Sequence, residues 1–535
     1  MNFDNIYNFK NPIRHFVNIN SLKYPIDITT FPVSNLSWTL PIPFKIQKEG
    51  EKFRTIKLPN PISFMRAYHY YSSLPNFLDL HLIDPDHKRL SANLDTGDFV
   101  SGEYDRQLNN DFMNLCLYDS LLKLDIEEYY GKIYTHYLDL NGLGDFVLAG
   151  LNNGRTGGII MGNYLSLYFA ESMLKKISAD FNDKLCAKNI SFHFEYFSDD
   201  FYIFCNSKDI NVITTIFDEC LQSYDFKRNE SKQEIWSYEA YNSYNLLTRY
   251  WKSIIRHWNL ELLKDYKIAN QNNTTASHTL SFLNQIIYRV SSLSGLKNKK
   301  SLINNFFKTK YFQETNFNEY TVKSYDYHQL CFLLSLAPES LLYTSHIFNQ
   351  MDSFDNEMIK EFLSLRYKAA LESPLNDVQL YYYYAIKTYG FSDLLSSMSS
   401  LVIDSENQIL ISYYLKDTLF SQGEIDALKL LEDEQYWFQN YHLILYSPDL
   451  ISDLDNSIVK YLIPQKAISK TEKETTYKNF YSENLTSGIA LIQEVQTITS
   501  NVQSYLTLRH QETAVDFADT DSEDDFNSED HMDNI

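Results

Sequence analysis

Apolar and polar residues follow two different patterns along this chain, and the change falls near residue 240. Before it, LKLDI (122–126), FHFEYF (192–197) and FYIFC (201–205) are short aromatic and aliphatic runs, which predict buried strands. After it, NEMIKEFLSLRYKAALES (356–373) and QGEIDALKLLEDEQYWFQNYHLIL (422–445) carry apolar residues three and four apart. That spacing predicts amphipathic helices that pack on one face.

Glycine and proline mark the same division. Nine of the thirteen prolines lie in residues 1–85, and eleven of the fifteen glycines lie at or before Gly162. The glycine-rich GRTGGIIMGN (154–163) leads into NYLSLYFAESMLKKISADF (163–181), which predicts a long helix. The resulting order of strand, glycine turn, helix, hairpin and helix predicts an α+β layer.

The later half reads as helical throughout. Pro338, Pro374 and Pro448 are separated by 36 and 74 residues, which suggests helix-pair units of about 37 residues, as in HEAT-like helical repeats. No repeated sequence motif accompanies this spacing. Within the region, YYYYAIKTY (381–389) covers a full helical turn with tyrosine, which predicts a buried or interface surface.

Charge is distributed unevenly. The net charge is −22 over 535 residues, which argues against a broadly basic nucleic-acid-binding surface. Ten acidic residues and no Lys or Arg follow from Glu512 onward, and we predict a disordered acidic tail over 512–535. A local basic path remains available from six cations near the start of the chain: Lys45, Lys48, Lys52, Arg54, Lys57 and Arg66.

Neither membrane insertion nor cysteine chemistry is indicated. No apolar run approaches the roughly 20 residues that cross a bilayer, and MNFDNIYNFK lacks the layout of a signal peptide. We therefore expect a cytoplasmic protein with no membrane partner. The five cysteines are odd in number and lack CxxC spacing, so we expect reduced thiols and no zinc site.

The adjacent carboxylates of Asp199 and Asp200 are the first candidate for chemistry. An Asp pair between two strands is commonly a solvated turn, in which the side chains cap backbone donors. Burial would change this, because two charges about 4 Å apart repel by roughly 4 kcal/mol at an effective dielectric of about 20. A bound cation relieves that repulsion. For an all-oxygen site the cation is Mg²⁺, with Mn²⁺ as a substitute.

A third carboxylate would complete a site for phosphoryl transfer with two metal ions. Asp125 ends the predicted strand LKLDI and precedes Asp199 by 74 residues, which is enough chain for a crossover helix and a return to an adjacent strand. A simple strand-end cap is the alternative role for Asp125.

Five segments, in one order over about 180 residues, resemble the motifs of reverse transcriptases, and within them the bacterial abortive-infection enzymes of the AbiK type and other defence-associated reverse transcriptases. They are RTIKLPNPISFMRAYHYY (54–71) for the fingers, LDIEEYYGKIYTHYL (124–138), GGIIMGNYLS (157–166), FSDDF (197–201) and NESK (229–232) for the palm. FSDDF alone is a weak signal, whereas the ordered set is a strong one.

The resemblance implies a role for each matching residue. Asp125, Asp199 and Asp200 would hold the metal ions, assisted by the backbone carbonyl of Ile126. Lys232 would donate a proton to the leaving pyrophosphate, although an exposed helix-end lysine is its plain alternative.

The incoming nucleotide has its own implied contacts. Arg54 and Lys57 would meet the triphosphate, and a solvated basic turn is their alternative. Tyr130 would lie under the sugar and exclude a 2′-hydroxyl, which implies deoxynucleotides as substrates; an ordinary core tyrosine is its alternative. Gly158 and Gly162 would let the backbone approach the nucleotide closely.

The resemblance also implies a biological role and an assembly. It implies an antiphage DNA polymerase that builds closed homo-oligomers, trimers or hexamers, and extends DNA from a protein tyrosine without a conventional template. The domains would be an N-terminal segment with fingers (1–115), a palm (116–244), a helical-repeat domain (245–511) and the tail (512–535). Ile160 and Met161 replace the Pro-Gln of templated enzymes, which places ordinary template handling in doubt.

Two alternatives stay open at this point. One is a defence reverse transcriptase that copies a partner noncoding RNA into repetitive DNA. The other belongs to a different class: a catalytically idle palm that serves as an oligomeric scaffold or phage sensor.

Overall fold

A computed structural model describes residues 2–245, except 10, 11, 50, 51, 101 and 102, and residues 275–518, except 294, 318–320 and 353. The described elements before residue 245 are mixed, whereas those of 275–518 are all helical. The predicted change of pattern near residue 240 is therefore confirmed on both sides of 246–274, a range that lies outside the described residues. The domain boundary at 245 falls directly before that range and stays a prediction.

Three antiparallel sheets form the strand part of the described residues. The largest has four strands in the order β6-β7-β5-β8. The eight strands are β1 Ile42–Glu49, β2 Lys52–Leu58, β3 Ala92–Asn93, β4 Asp98–Phe99, β5 Ser120–Asp125, β6 Phe192–Phe197, β7 Asp200–Cys205 and β8 Glu234–Trp236. The three predicted strands correspond to β5, β6 and β7.

Helices α1 to α7 accompany these strands, and residues 238–245 are helical as well. These seven are α1 Phe3–Tyr7, α2 Pro61–Tyr71, α3 Glu103–Leu117, α4 Tyr129–Lys132, α5 Phe146–Gly150, α6 Tyr164–Ala187 and α7 Ile210–Gln222. The side chain of Asn163 caps α6 by accepting the Ser166 N–H at 3.0 Å. The helix runs six residues past its predicted end at 181, because Leu185, four residues after Phe181, continues its buried face.

An aromatic layer joins the sheet to its two covering helices. The ring of Phe181 on α6 lies 6.2 Å from that of Phe201 on β7 and 5.3 Å from that of Phe217 on α7, between ring centroids. Phe201 and Phe217 lie 4.9 Å apart in turn. Edge-to-face contacts of this kind stabilise a core beyond the area they bury, and they fix the hairpin β6–β7 against both helices.

The second half contains sixteen described helices. They are Thr275–Ser292, Leu296–Lys308, Lys310–Gln313, Ser324–Leu336, Leu341–Phe348, Asn356–Leu371, Asn376–Thr388, Ser392–Ser396, Ser399–Asp404, Gln408–Lys416, Gln422–Leu428, Trp437–Tyr446, Pro448–Ser452, Leu454–Tyr461, Thr471–Thr486 and Val495–Ala518. Their arrangement as HEAT-like repeats stays a prediction.

The amphipathic segment 422–445 is not one helix, contrary to its apolar spacing. Gln422–Leu428 begins at a capping box formed by Ser421 and Glu424, and Trp437–Tyr446 is a separate helix. Between them, the side chain of Asp433 accepts the Gln435 N–H at 2.9 Å and starts a new turn. A cap of this type competes with continued helix, since it satisfies the local donor without the preceding turn.

The four-tyrosine run is buried, as predicted. Tyr381 to Tyr384 lie on the helix Asn376–Thr388, and the exposed fraction of each is 3% or less. The hydroxyl of Tyr383 donates to Asp417 at 2.7 Å, and that of Tyr384 lies 2.9 Å from the Thr499 hydroxyl. These rings belong to the core of the helical half.

Side chains of the helical half form direct contacts with the N-terminal half. The indole N–H of Trp437 donates to the Leu40 carbonyl at 3.0 Å, and the carboxylate of Asp377 accepts the Gln47 N–H of β1 at 3.1 Å. Val17 and Ile492 form an isolated antiparallel bridge. Buried side chains of both halves form one continuous cluster, so that the hairpin β1–β2 is positioned by helices far away in sequence.

The last described helix includes the start of the predicted tail. The helix Val495–Ala518 includes the first residues of the predicted tail, whereas residues 519–535 lie outside the described part, so the disorder of the tail stays a prediction. Among the described residues no single helix is long and apolar enough to cross a membrane. Ser324–Leu336 and Pro338–Phe348, bent by 119° at their junction, reach that length and apolarity only together.

Candidate active site

The tight hairpin β6–β7 places two of the candidate aspartates. Phe197 pairs with Asp200, which leaves Ser198 and Asp199 as a two-residue turn. Ser198 has φ +55°, a left-handed conformation that costs an L-residue about 1 kcal/mol. The packing of buried rings on the two strands stabilises this turn despite its cost, so Asp199 and Asp200 are held at the end of the sheet.

The third aspartate lies beside them. In the register of β5 against β7, Asp125 pairs with Asp200, and the Ile126 N–H donates to the Asp199 carbonyl at 3.0 Å. The structure thus brings together Asp125, Ile126, Asp199 and Asp200, although Asp125 and Asp199 are 74 residues apart in the chain. The predicted adjacency of the two strand ends is observed.

Two lysines partly balance the negative charge of the three aspartates. Lys232 Nζ lies 2.5 Å from Asp125 Oδ2, and Lys123 Nζ lies 3.2 Å from Asp200 Oδ2. Burial raises the pKa of Asp200, Lys123 opposes that rise, and the charges of Asp199 and Asp125 add to it. Lys123 is not one of the predicted site residues. Its signal is the alternation of LKLDI, which puts Lys123 and Asp125 on one face of a strand.

One oxygen of the cluster is left without a partner. Asp125 is 2% exposed, and its Oδ1 forms no hydrogen bond among the described residues. Lys232, in a short turn Glu230–Lys232, contacts only the other oxygen of that carboxylate. A buried carboxylate oxygen without a donor costs free energy unless a donor or cation reaches it. Asp125 Oδ1 is therefore available to a further ligand.

Tyr130 lies next to this end of the sheet. Burial, followed by the charges of Glu171 and Asp199, raises the pKa of its phenol, and the charge of Arg54 opposes the rise. Arg54 and Asp199 therefore each lie within electrostatic reach of Tyr130. The Tyr130 carbonyl accepts the Ile159 N–H at 2.9 Å, which ties α4 to the glycine-rich loop.

The two candidate glycines are required by their surroundings. Gly158 has φ +82°, and a Cβ there would lie 2.7 Å from the Gly131 carbonyl oxygen. Gly162 has φ +117°, and a Cβ there would lie 3.1 Å from the Ile56 side chain on β2. Between them, the Met161 carbonyl accepts the Lys57 N–H at 3.1 Å. The loop thus joins β2 to α4 along one side of the candidate site.

Arg54 and Lys57 do not come together. They are three residues apart on β2, and side chains at odd spacing point to opposite faces of a strand. The exposed Arg54 lies on the side of Tyr130, whereas Lys57 Nζ donates to Asn152 Oδ1 at 3.2 Å. Burial, and then the charge of Arg155, lower the pKa of Lys57. Of the two cations, only Arg54 lies within electrostatic reach of Tyr130.

The oxygen atoms of the candidate site suit a hard cation chemically, but they are not already arranged around a metal position. Carboxylate and carbonyl oxygens suit Mg²⁺ and Mn²⁺, and Asp125 Oδ1 lacks a partner. Within the part of the chain that the structure describes, however, no group of three or more His, Cys, Asp and Glu side chains is arranged to hold a metal ion. Lys123 and Lys232 take that place beside Asp200 and Asp125.

Comparison with known proteins adds no family. No family model matches the chain, and no curated protein matches it. Among solved structures it is similar to the telomerase of Candida albicans with a fragment of telomeric RNA, at 13% identity and a TM-score of 0.28, over 74% of this chain and 64% of that one. The corresponding values for apo telomerase of Candida tropicalis are 12%, 0.28, 73% and 67%. The chain thus spans about two thirds of the length of each, and likeness at this level supports no assignment of activity.

Proposed function

We propose that this chain is a nucleotidyltransferase of reverse-transcriptase type that adds deoxynucleotides to DNA. The observation that carries the proposal is the convergence of Asp125, Asp199 and Asp200 at one end of an antiparallel sheet, with Tyr130 within electrostatic reach of both Asp199 and Arg54. Phosphoryl transfer needs little covalent help from a protein. It needs positioned charges around the triphosphate, and this arrangement supplies sites for both signs of charge.

Each residue has a part in the proposal. Asp125, Asp199, Asp200 and the Ile126 carbonyl would hold Mg²⁺, or Mn²⁺ in its place, which when bound supplies positive charge for the phosphates. Arg54 would contact the triphosphate, and Tyr130 would lie against the sugar. Gly158 and Gly162 keep the adjoining loop free of side chains, and Lys232 would protonate the leaving pyrophosphate.

The finer proposal is a protein-primed, antiphage DNA polymerase that works as a homo-oligomer without a conventional template, in the cytoplasm. It rests on the motif resemblance. The buried tyrosines 381–384 are excluded as primers in the folded chain, because a priming hydroxyl must reach the active site. A noncoding-RNA-templated enzyme is the close variant. Phenol-resistant DNA released by protease would support protein priming, and RNase-sensitive incorporation would support the variant.

One observation favours the catalytically idle scaffold as a second candidate. Clustered carboxylates without a metal would repel one another, but Lys123 and Lys232 already supply two counter-charges. The cluster can therefore be stable without binding any metal ion. An idle palm would keep these ion pairs permanently, whereas a polymerase must open them.

Incorporation of labelled deoxynucleotides with Mg²⁺ separates the two candidates. We expect incorporation by the wild type and loss of at least about 100-fold in the double variant Asp199→Ala, Asp200→Ala. The matched control removes two exposed aspartates elsewhere, Asp27→Ala with Asp95→Ala, and should keep full activity. Equal incorporation by all three proteins, or none by the wild type with varied primers and RNA, would reject the polymerase.

A further inference from the structure

A cluster of cations lies on the face of the hairpin β1–β2 opposite to Arg54. Its centre is the loop 152–155, which follows α5 and is fixed by the Asn152 and Gly154 N–H groups on the Ala149 carbonyl, at 3.0 and 2.8 Å. Two lysines converge on this loop. Lys57 Nζ donates to Asn152 Oδ1 at 3.2 Å, and Lys466 Nζ of the helical half donates to Asn153 Oδ1 at 3.2 Å.

Arg155 adds a third positive charge to the cluster. It is exposed, like Lys466, and its charge contributes to the lowered pKa of Lys57. None of these three cations forms an ion pair with a carboxylate in the described part of the chain. The acidic neighbour of Lys466 is Glu434, and that carboxylate accepts the Gln465 N–H at 2.7 Å. In a chain of net charge −22, a group of cations that forms no ion pair among the described residues is available to an anion from outside.

An exposed indole completes the cluster. Trp38 is 45% exposed and rests on Gly154, where a Cβ would lie 2.3 Å from the indole Cε3. Its position is fixed by the neighbouring Thr39, whose N–H donates to Gly150 and whose carbonyl accepts from Asn153, both at 3.0 Å. Lys466 Nζ lies 4.2 Å from the centre of the indole ring. A tryptophan half open to solvent between cations is a platform for a flat ring.

We infer that Trp38, Lys57, Arg155 and Lys466 bind single-stranded nucleic acid, with phosphates on the cations and a base on the indole. Each lysine uses one N–H on an asparagine and keeps two for a phosphate. On binding, the ammonium group of Lys466 leaves the indole ring of Trp38 and contacts a phosphate instead. The face of the indole that it covered is then open to a base. Stacking on an aromatic side chain suits any base, so the site needs no particular sequence.

The position of the cluster connects it to the candidate active site. Arg155 precedes Gly158 by three residues, a span of at most about 11 Å. The cluster therefore lies within one short loop of Gly158, which belongs to the loop that joins β2 to α4. The inference deepens the proposed function, on which the choice of nucleic acid as the polyanion rests.

Binding can be measured without catalysis. The probes are fluorescent oligodeoxythymidylate and oligouridylate, followed by anisotropy in EDTA with no nucleotides, and quenching of tryptophan emission by the unlabelled strands. We expect Arg155→Gln with Lys466→Gln to weaken binding about tenfold or more and to lower the slope of log K against log salt by about 1.4, for two lost phosphate contacts. Trp38→Phe should remove most of the quenching.

The matched control is Lys188→Gln with Lys208→Gln, which removes the same charge from exposed sites. Lys188 follows the far end of α6, about 36 Å from the glycine loop along the helix. Three results would overturn the inference: equal weakening of binding by both double variants, full quenching in Trp38→Phe at an unchanged denaturation midpoint, or no binding by the wild type. An affinity for heparin that equals the affinity for the oligonucleotides and is unchanged in Trp38→Phe would also overturn it, because a surface that binds any polyanion behaves in that way.

The two proposals fail separately. If incorporation is absent but the oligonucleotides bind as expected, the nucleic-acid-binding surface is supported and the polymerase proposal is rejected. If incorporation is normal and the Arg155→Gln, Lys466→Gln variant binds like the wild type, only the proposed nucleic-acid-binding surface is rejected.

Discussion

The ammonium group of Lys123 lies 3.2 Å from Oδ2 of Asp200, its neighbour across the β5–β7 ladder toward the strand end. The two side chains are 25% and 26% exposed, so the pair is only partly screened by solvent. With the Lys232–Asp125 pair, it gives the candidate active site its own internal counter-charges. Any cation that binds these aspartates must compete with lysine.

Removal of the Lys123 charge should therefore change both stability and cation binding. We expect Lys123→Met to lower the free energy of unfolding by about 1 kcal/mol without a divalent ion, because Asp200 loses its partner. The same variant should bind Mn²⁺ more tightly, as read by electron paramagnetic resonance. The control is the double-mutant cycle with Asp200→Asn. A coupling energy below about 0.3 kcal/mol would show that the ion pair contributes nothing.

The contact between β1 and the helical half should depend on pH. Burial raises the pKa of Asp377 to about 6, and its carboxylate accepts the Gln47 N–H. Because the folded pKa exceeds the unfolded value of about 3.9, the folded state holds the proton more tightly, and this group destabilises the fold as pH rises from about 4 to about 6. The full effect is about 3 kcal/mol.

Asp377→Asn keeps the acceptor oxygen and removes the titration. Relative to the wild type, we expect the variant to gain stability steadily between pH 4 and pH 7, measured by chemical denaturation at each pH. Asp393→Asn is the control, since the ion pair with Lys360 lowers the pKa of Asp393, which confines its effect on the pH dependence to pH values near and below 4; its stability difference from the wild type should therefore stay nearly constant from pH 5 to pH 7. A stability difference for Asp377→Asn that is constant with pH would contradict the assignment.

The glycine loop offers a test with an internal control. Gly158→Ala places a methyl group 2.7 Å from the Gly131 carbonyl oxygen at φ +82°, and we expect a loss of about 1–3 kcal/mol in stability together with reduced incorporation. A Cβ at Gly157 would meet no described atom within 4 Å, so Gly157→Ala should be tolerated. Thermal denaturation and incorporation of both variants decide the matter. Equal behaviour of the two would contradict a specific need for glycine at 158.

Tyr130 should control the choice of sugar if it lies against the nucleotide. We expect Tyr130→Ala to reduce discrimination against ribonucleotides by at least about tenfold, because a smaller side chain admits a 2′-hydroxyl. Tyr130→Phe keeps the ring and should keep the selectivity. Competition between labelled deoxynucleotides and ribonucleotides measures the ratio. Unchanged selectivity in Tyr130→Ala would remove the sugar-gate role.

Local sequence was sufficient for the elements that carry the site. Aromatic and aliphatic runs on both sides of Ser198 and Asp199 predicted the hairpin, because a strand needs only alternation and a turn needs only a break in it. The order of the aspartates and glycines predicted which residues the structure would bring together. The same local reading joined 422–445 into one helix, since apolar spacing does not register a side-chain cap such as that of Asp433.

The sequence by itself determined the strands β5, β6 and β7, the glycine turns, the buried tyrosine run and the identity of the carboxylates at the sheet end. Only the tertiary structure decided their partners. Lys232 reaches Asp125 from 107 residues away, and Lys466 reaches Asn153 from 313 residues away. Secondary structure follows from interactions over a few residues, whereas an ion pair or a shared surface depends on which distant segments the core brings into contact. Arg54 and Lys57 show both effects: strand alternation puts them on opposite faces of β2, and the tertiary structure decides what each face contacts.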